Sequence, residues 1–217
     1  MPRGRSASYE DQREMILAQA AQLFARRGYS ATSMNQVAEA CGLSKATLYH
    51  YYKDKYTLLL SIADDHVSRL AALIDDEAAL QLQGEARLRH LIGRIVEEYA
   101  HAQDAHRVLT EDVKFLSDED RQRVLDKERV VVAGFARALA GTQHSAAVAQ
   151  MAKPLTMLLF GMINWMFTWM KPDGALDYDA MGPIVADLFL GGVGQVKPPP
   201  GMRAAAGAKA ARRTRAA

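Results

Sequence analysis

The chain has 217 residues and a mass of 23.9 kDa, with 49% hydrophobic and 24% charged residues, enough for one or two domains with a buried core. The net charge of +2 sums three unlike segments: residues 1–60 carry +3, residues 61–187 carry −7 and residues 188–217 carry +6, so a basic head and a basic tail flank an acidic body. One cysteine, Cys41, excludes a disulfide framework and a thiolate metal cluster.

The start, Met1-Pro-Arg-Gly-Arg5, is basic but no apolar stretch follows it, so a signal peptide is not expected. Ile16, Ala20, Leu23 and Phe24 fall on one helical face and predict an amphipathic helix over 9–27, ended by Gly28. Ser33 and Gln36 have the spacing of a capping box, which predicts a short helix over 34–41. Gly42 suits its C-terminal position, where positive φ is easiest for glycine. Ser44 can cap a third helix over 45–51, and Lys55 opens a longer one reaching about 80. Further helices are expected over 84–103, 107–116, 118–140, 145–170 and 178–193, with Ser117 followed by Asp118, Glu119 and Asp120 as an N-terminal signature. Lys171 to Gly174 reads as a turn. The run from Leu155 to Met170 is shorter than the roughly 20 residues of a membrane span and contains Thr156, Asn164 and Thr168. It predicts a buried helix. No stretch alternates with period two, so the fold expected is all-α, in a cytoplasmic protein without a membrane partner. From Lys197 onward the prolines and the Ala/Gly/Arg run lack large apolar residues, and disorder is expected there.

Ser33 to Tyr52 is the most informative stretch. A helix-turn-helix joins two helices steeply through a tight turn, which favours a small residue such as Ala38 and, four positions on, Gly42. Val37, Leu43, Leu48 and Tyr51 can lock the pair to the first helix. Lys45, Thr47, Tyr49 and His50 remain on the outer face of the third helix, a set suited to phosphates and base edges in the major groove. Lys53 and Lys55 follow, within reach of backbone phosphates. Spacing alone leaves a second possibility, a plain packing corner.

Residues 10–60 closely resemble the TetR family of bacterial transcriptional repressors. The resemblance is carried by Ile16-Leu-Ala-Gln-Ala-Ala-Gln-Leu-Phe24, Arg27-Gly-Tyr-Ser-Ala-Thr-Ser33, Val37-Ala-Glu-Ala40, Gly42-Leu-Ser-Lys-Ala-Thr-Leu-Tyr-His-Tyr-Tyr52 and Lys55. Tyr52 stands where the family favours Phe. The resemblance implies DNA contacts at Thr32, Ser33, Lys45, Thr47, Tyr49, His50 and Lys55, to which Ser44 and Lys53 are added as candidates. It also implies a DNA-binding domain over 8–54 and an effector-binding and dimerisation domain over 55–196, which leaves 197–217, by its composition, as a disordered basic tail.

One recognition helix reads few base pairs, so dimerisation on a near-palindromic double-stranded operator is expected. The last two predicted helices are richer in Leu, Met, Phe and Trp than one small core requires. Leu155, Leu159, Met162, Met166, Ile184 and Leu188 are the candidate homodimer face, with an intramolecular core as the alternative. Gly161 to Trp169, with Pro172-Asp-Gly174 and Gly191-Gly192, resembles a branch of the family that releases DNA on binding acyl-CoA thioesters. That implies a small-molecule effector bordered by Asn164 and the surrounding aromatics, Trp165 among them, and Tyr99, Arg107 and Phe115 are added as candidates. Asn164 in an apolar helix needs a hydrogen-bond partner, either a neighbouring helix or the ligand. Arg87, Arg89 and Arg94 are further cations for CoA phosphates.

Glu97, His101 and Asp104 share a helical face near His106, but a solvated polar stripe accounts for them and no metal is expected. No cofactor or catalytic constellation stands out. The rival function is an all-helical enzyme or ligand carrier with a helix-turn-helix-like corner. The basic tail either adds nonspecific DNA affinity or is simply a solvated end.

Overall fold

The computed structural model describes residues 7–78, 80–142, 144–170 and 174–199. Among these residues the chain is all-helical: α1 Ala7–Arg27, α2 Met34–Ala40, α3 Lys45–Tyr51, α4 Lys55–Ala78, α5 Gly84–His101, α6 Gln103–Glu111, α7 Asp118–Ala140, α8 Ala146–Gln150, α9 Ala152–Asn164 and α10 Tyr178–Val193. Short 3₁₀ turns occupy Val113–Phe115 and Met166–Thr168. Part of the Lys171–Gly174 turn, and the tail beyond Pro199, lie outside the described residues.

Two expected helices are divided. The span 107–116 is instead α6, starting at Gln103, followed by a 3₁₀ turn. Ala102 precedes α6 with no side-chain cap, so no capping residue marks that start. The span 145–170 breaks at Met151 and again at Trp165. Pro154 accounts for the first break: it lacks an N–H and its ring clashes with the carbonyl four residues back, but it fits the first turn of a new helix.

The chain forms two compact units. The first contains the residues up to Asp76 and Ile95–Val131. Its core joins Ile16, Ala20 and Phe24 of α1 to Val37 and Ala38 of α2 and Leu48 of α3. Leu58, Leu59 and Ile62 of α4, Val108 and Leu109 of α6, and Val124 of α7 complete it. It is a larger assembly than the 8–54 segment alone, because α4, α6 and part of α7 share one apolar cluster with α1–α3. The second unit contains Glu77–Arg94 and the residues from Val132. Leu88, Leu91 and Ile92 of α5 are buried there with Phe135 and Leu139 of α7, Leu155, Leu159, Phe160 and Ile163 of α9, and Val185 and Phe189 of α10. Phe135 and Phe160 meet edge to face, 5.0 Å between ring centroids.

Candidate nucleic-acid interface

The head is built from local signals. Ser33 caps α2: its hydroxyl accepts the Gln36 amide while the Gln36 side chain accepts the Ser33 amide at 2.8 Å, a complete capping box. At the other end Gly42, at φ +64°, takes the left-handed conformation. There the Leu43 amide reaches the Ala38 carbonyl at 2.9 Å and the Gly42 amide reaches Glu39 at 3.0 Å, the paired bonds of a Schellman ending. Ser44 then caps α3 through the Thr47 amide at 3.1 Å, and the Ser44 and Thr47 hydroxyls bond each other at 2.7 Å. Asp54 caps α4 through the Thr57 amide and hydroxyl. Those bonds hold its carboxyl below the usual range.

Leu48 is buried against Val37, and Tyr52, just past α3, is a further core residue that the sequence pattern missed. The helix is fixed from inside, so Lys45, Thr47, Tyr49 and His50 all stand exposed on it, with Lys53 exposed beyond. The Lys45 ammonium lies 5.8 Å from the Tyr49 ring centroid. Ser33 and Ser44 are exposed as well.

Two of the expected DNA contacts are placed otherwise. Thr32 is 2% exposed, and its hydroxyl donates to the Gly28 carbonyl at 3.0 Å. It satisfies the end of α1 and presents no group to solvent. Lys55 is partly buried, with its ammonium against the carbonyls of Tyr29, Ser30 and Thr32.

The expected effector residues fall in both units, Tyr99, Arg107 and Phe115 in the first and Asn164 and Trp165 in the second. Tyr99 is buried, its ring stacked 3.7 Å from that of His106, and burial pushes its phenol pKa up. His106 Nδ1 lies 3.3 Å from Nε2 of the fully buried His66. Arg107 is exposed and bonds Glu111. Phe115 packs against Tyr29 of the head, 5.3 Å between centroids. A groove of about 940 Å³ in the first unit is lined by Leu17, Ala21, Ile62, Asp65, Arg69 and Ala105, among others, but not by Tyr99, Arg107 or Phe115. In the second unit Asn164 is half-buried and Trp165 exposed, and Arg89 pairs with Asp187 at 2.5 Å. Among the described residues no three His, Cys, Asp or Glu side chains converge on a common ion, and no helix is long and apolar enough to cross a membrane.

The candidate dimer residues also separate. Leu155, Leu159 and Met166 are buried in the chain's own core, and Met162 is half-buried. Ile184 and Leu188 are exposed, as are Met157 and Leu158 of α9 and Trp165 and Trp169 just after it. The apolar stripe wraps more than one face of α9, so composition could not say which leucines turn inward.

A short exposed helix held by a glycine turn over a buried core, in an all-helical chain, defines a helix-turn-helix regulator of transcription. Residues 16–62 match the model of bacterial regulatory proteins of the tetR family, and residues 81–193 match that of the tetracyclin repressor-like C-terminal domain. The chain belongs to the TetR family, whose members are DNA-binding regulators rather than enzymes. Its fold is similar to that of a TetR-family transcriptional regulator from Bordetella parapertussis 12822, at 35% identity and TM-score 0.77 over 83% of this chain and 95% of that one. AibR in complex with isovaleryl coenzyme A and operator DNA is similar at 25% identity and TM-score 0.69, over 87% and 99% of the two chains. The transcriptional repressor KstR of Mycobacterium tuberculosis is 24% identical over 74% of each chain. The match to the transcriptional activator FasR of Mycolicibacterium smegmatis, 26% identical, covers 51% of this chain and only half of FasR.

Proposed function

We propose that the protein is a homodimeric repressor acting in the cytoplasm, which binds a near-palindromic operator through α3 and is released by an acyl- or aryl-CoA thioester. The observation that carries it is the outward face of α3, where Lys45, Thr47, Tyr49 and His50 stand exposed on a helix anchored by Leu48. A cation and hydroxyls on a rigid short helix suit direct readout, with Lys53 and Ser33 at the flanks. The thioester is supported by the Gly161–Trp169 resemblance and by the likeness to AibR, solved with isovaleryl coenzyme A and operator DNA.

Dimerisation is supported by five exposed apolar side chains, Met157, Leu158, Trp165, Ile184 and Leu188. Water-exposed apolar surface of that kind marks an association face, and a two-fold pairing buries both copies of it. Residues 8–54 serve as the DNA-binding head and 55–196 as the effector and dimerisation body. Effector binding shifts α4, which is contiguous with the head, and respaces the two recognition helices. A thioester releases DNA to the extent that it prefers the DNA-incompetent state.

The test is a mobility-shift titration on a duplex selected by the purified protein, with acetyl- to palmitoyl-CoA, phenylacetyl-CoA, free CoA and the free acids. Release by a thioester alone supports the proposal. Release by a free acid overturns the effector class, and a thioester that tightens binding overturns release by effector.

A further inference from the structure

We propose that Lys55 is a positioning residue for the recognition helix rather than a phosphate ligand, an inference that rests on α3 being the DNA-contacting element. Its Nζ lies 2.8 Å from the Tyr29 carbonyl, 3.3 Å from that of Ser30 and 2.8 Å from that of Thr32. An ammonium has three N–H donors, and three carbonyl acceptors engage them all. The same nitrogen stands 4.4 Å from the Tyr29 ring centroid, so the charge is held by the ring face as well. A phosphate contact would require the ammonium to leave three turn carbonyls, of which that of Tyr29 also accepts a backbone bond, from the Thr32 amide at 3.3 Å.

The place of this contact in the chain gives it its effect. The three carbonyls lie in the turn between α1 and α2, immediately before the Ser33 cap. Lys55 is the first residue of α4, just after α3 and its buried C-cap Tyr52. One ammonium therefore ties the entry of α2 to the exit of α3, closing the two ends of the helix-turn-helix on each other. The turn is also held by Phe24 and Phe115, whose ring centroids lie 5.4 and 5.3 Å from that of Tyr29. With Lys55 removed, the turn keeps those holds but loses its link to α4, and the pose of α3 loosens.

The experiment measures affinity against salt concentration for wild type, Lys55→Met, Lys55→Arg and Lys53→Ala. Two duplexes are used, one selected in vitro by the wild type and one unrelated, at temperatures below each variant's melting transition. A positioning role predicts that Lys55→Met loses about tenfold or more on the selected duplex, little on the unrelated one, and keeps the wild-type salt slope, whereas the phosphate-contact control Lys53→Ala lowers the slope by about one. Lys55→Arg should not restore discrimination, because a planar guanidinium cannot converge three donors on the space of one ammonium. Unchanged affinity in Lys55→Met overturns the assignment. So does a slope lower by about one with both duplexes weakened alike and arginine restoring wild-type binding. A lower melting temperature with an unchanged ratio of the two affinities shows a purely structural role and overturns it too. Should Lys55→Met fail to fold, Lys55→Arg carries the same comparison. Should the wild type select no duplex, the failure lies with DNA contact by α3, and the positioning role falls with it.

Discussion

His66 of α4 and His106 of α6 meet through their ring nitrogens, Nε2 to Nδ1, at 3.3 Å. Arg69 Nη2 lies 3.5 Å from His66 Nδ1, and a guanidinium can only donate. His66 Nδ1 is therefore an acceptor, its Nε2 carries the proton, and His106 Nδ1 accepts it. The chain of bonds requires both rings to be neutral. The Tyr99 ring closes over His106, and the Glu98 carboxylate lies 3.9 Å from His66 Nδ1, beyond hydrogen-bond range.

This pair predicts acid sensitivity. Burial first, then His106 and Arg69, lowers the His66 pKa from 6.5 to about 3. The unfolded chain takes up the proton as the pH falls below 6.5, whereas the folded chain does so only near 3. The stability contributed by a neutral His66 is thus complete above pH 6.5 and lost progressively down to about 3, by about 1.4 kcal/mol per pH unit. Urea denaturation at pH 7 and pH 5 should show a smaller acid loss in His66→Gln than in wild type. An equal loss in both would place the sensitivity elsewhere.

Thr32 should behave as a structural residue. Its buried hydroxyl donates to the Gly28 carbonyl, so Thr32→Val should cost about 0.5–1.5 kcal/mol of stability. DNA affinity at fixed salt should stay near the wild-type value while the variant is folded. DNA affinity weakened about tenfold, measured well below the variant's melting transition, would instead return Thr32 to the DNA surface.

Gly42→Ala isolates a backbone cost. No atom lies within 4 Å of a Cβ built there, yet φ is +64°. The expected loss is about 1–2 kcal/mol from the left-handed conformation alone, read in thermal denaturation. A loss near zero would mean that the turn rearranges.

Thr47 and Lys53 should separate specificity from affinity. Thr47→Ala should change the sequences recovered by in vitro selection, whereas Lys53→Ala should weaken all duplexes alike and lower the salt slope by about one. Identical selected sequences from Thr47→Ala would remove it from base readout.

Neighbouring leucines of α9 should give opposite phenotypes. Leu158 is 66% exposed and Leu159 1% exposed. Leu158→Asp should shift sedimentation toward monomer with helical content intact, whereas Leu159→Ala should cost about 2–5 kcal/mol through the cavity it leaves. A dimer unchanged in both Leu158→Asp and Leu188→Asp would move the association face away from α9 and α10.

The sequence by itself determined the features whose causes lie within a few residues. Ser33 with Gln36, Gly42 after α2 and Ser44 before α3 each act on backbone groups two to five positions away, so the head and its exposed helix were legible, and Leu48 was recognisable as the anchor. Tertiary structure decided the rest. Lys55 meets Tyr29 across 26 residues, and no local spacing shows that three turn carbonyls converge on its ammonium. Thr32 looked like a surface hydroxyl until the end of α1 folded over it. On α9, Leu158 and Leu159 are chemically identical, and only the packing of the second unit turns one into the core and leaves the other in water. Local hydrogen bonding sets where helices begin and end, but which side chains remain free to meet DNA or a partner depends on what the rest of the chain has already claimed.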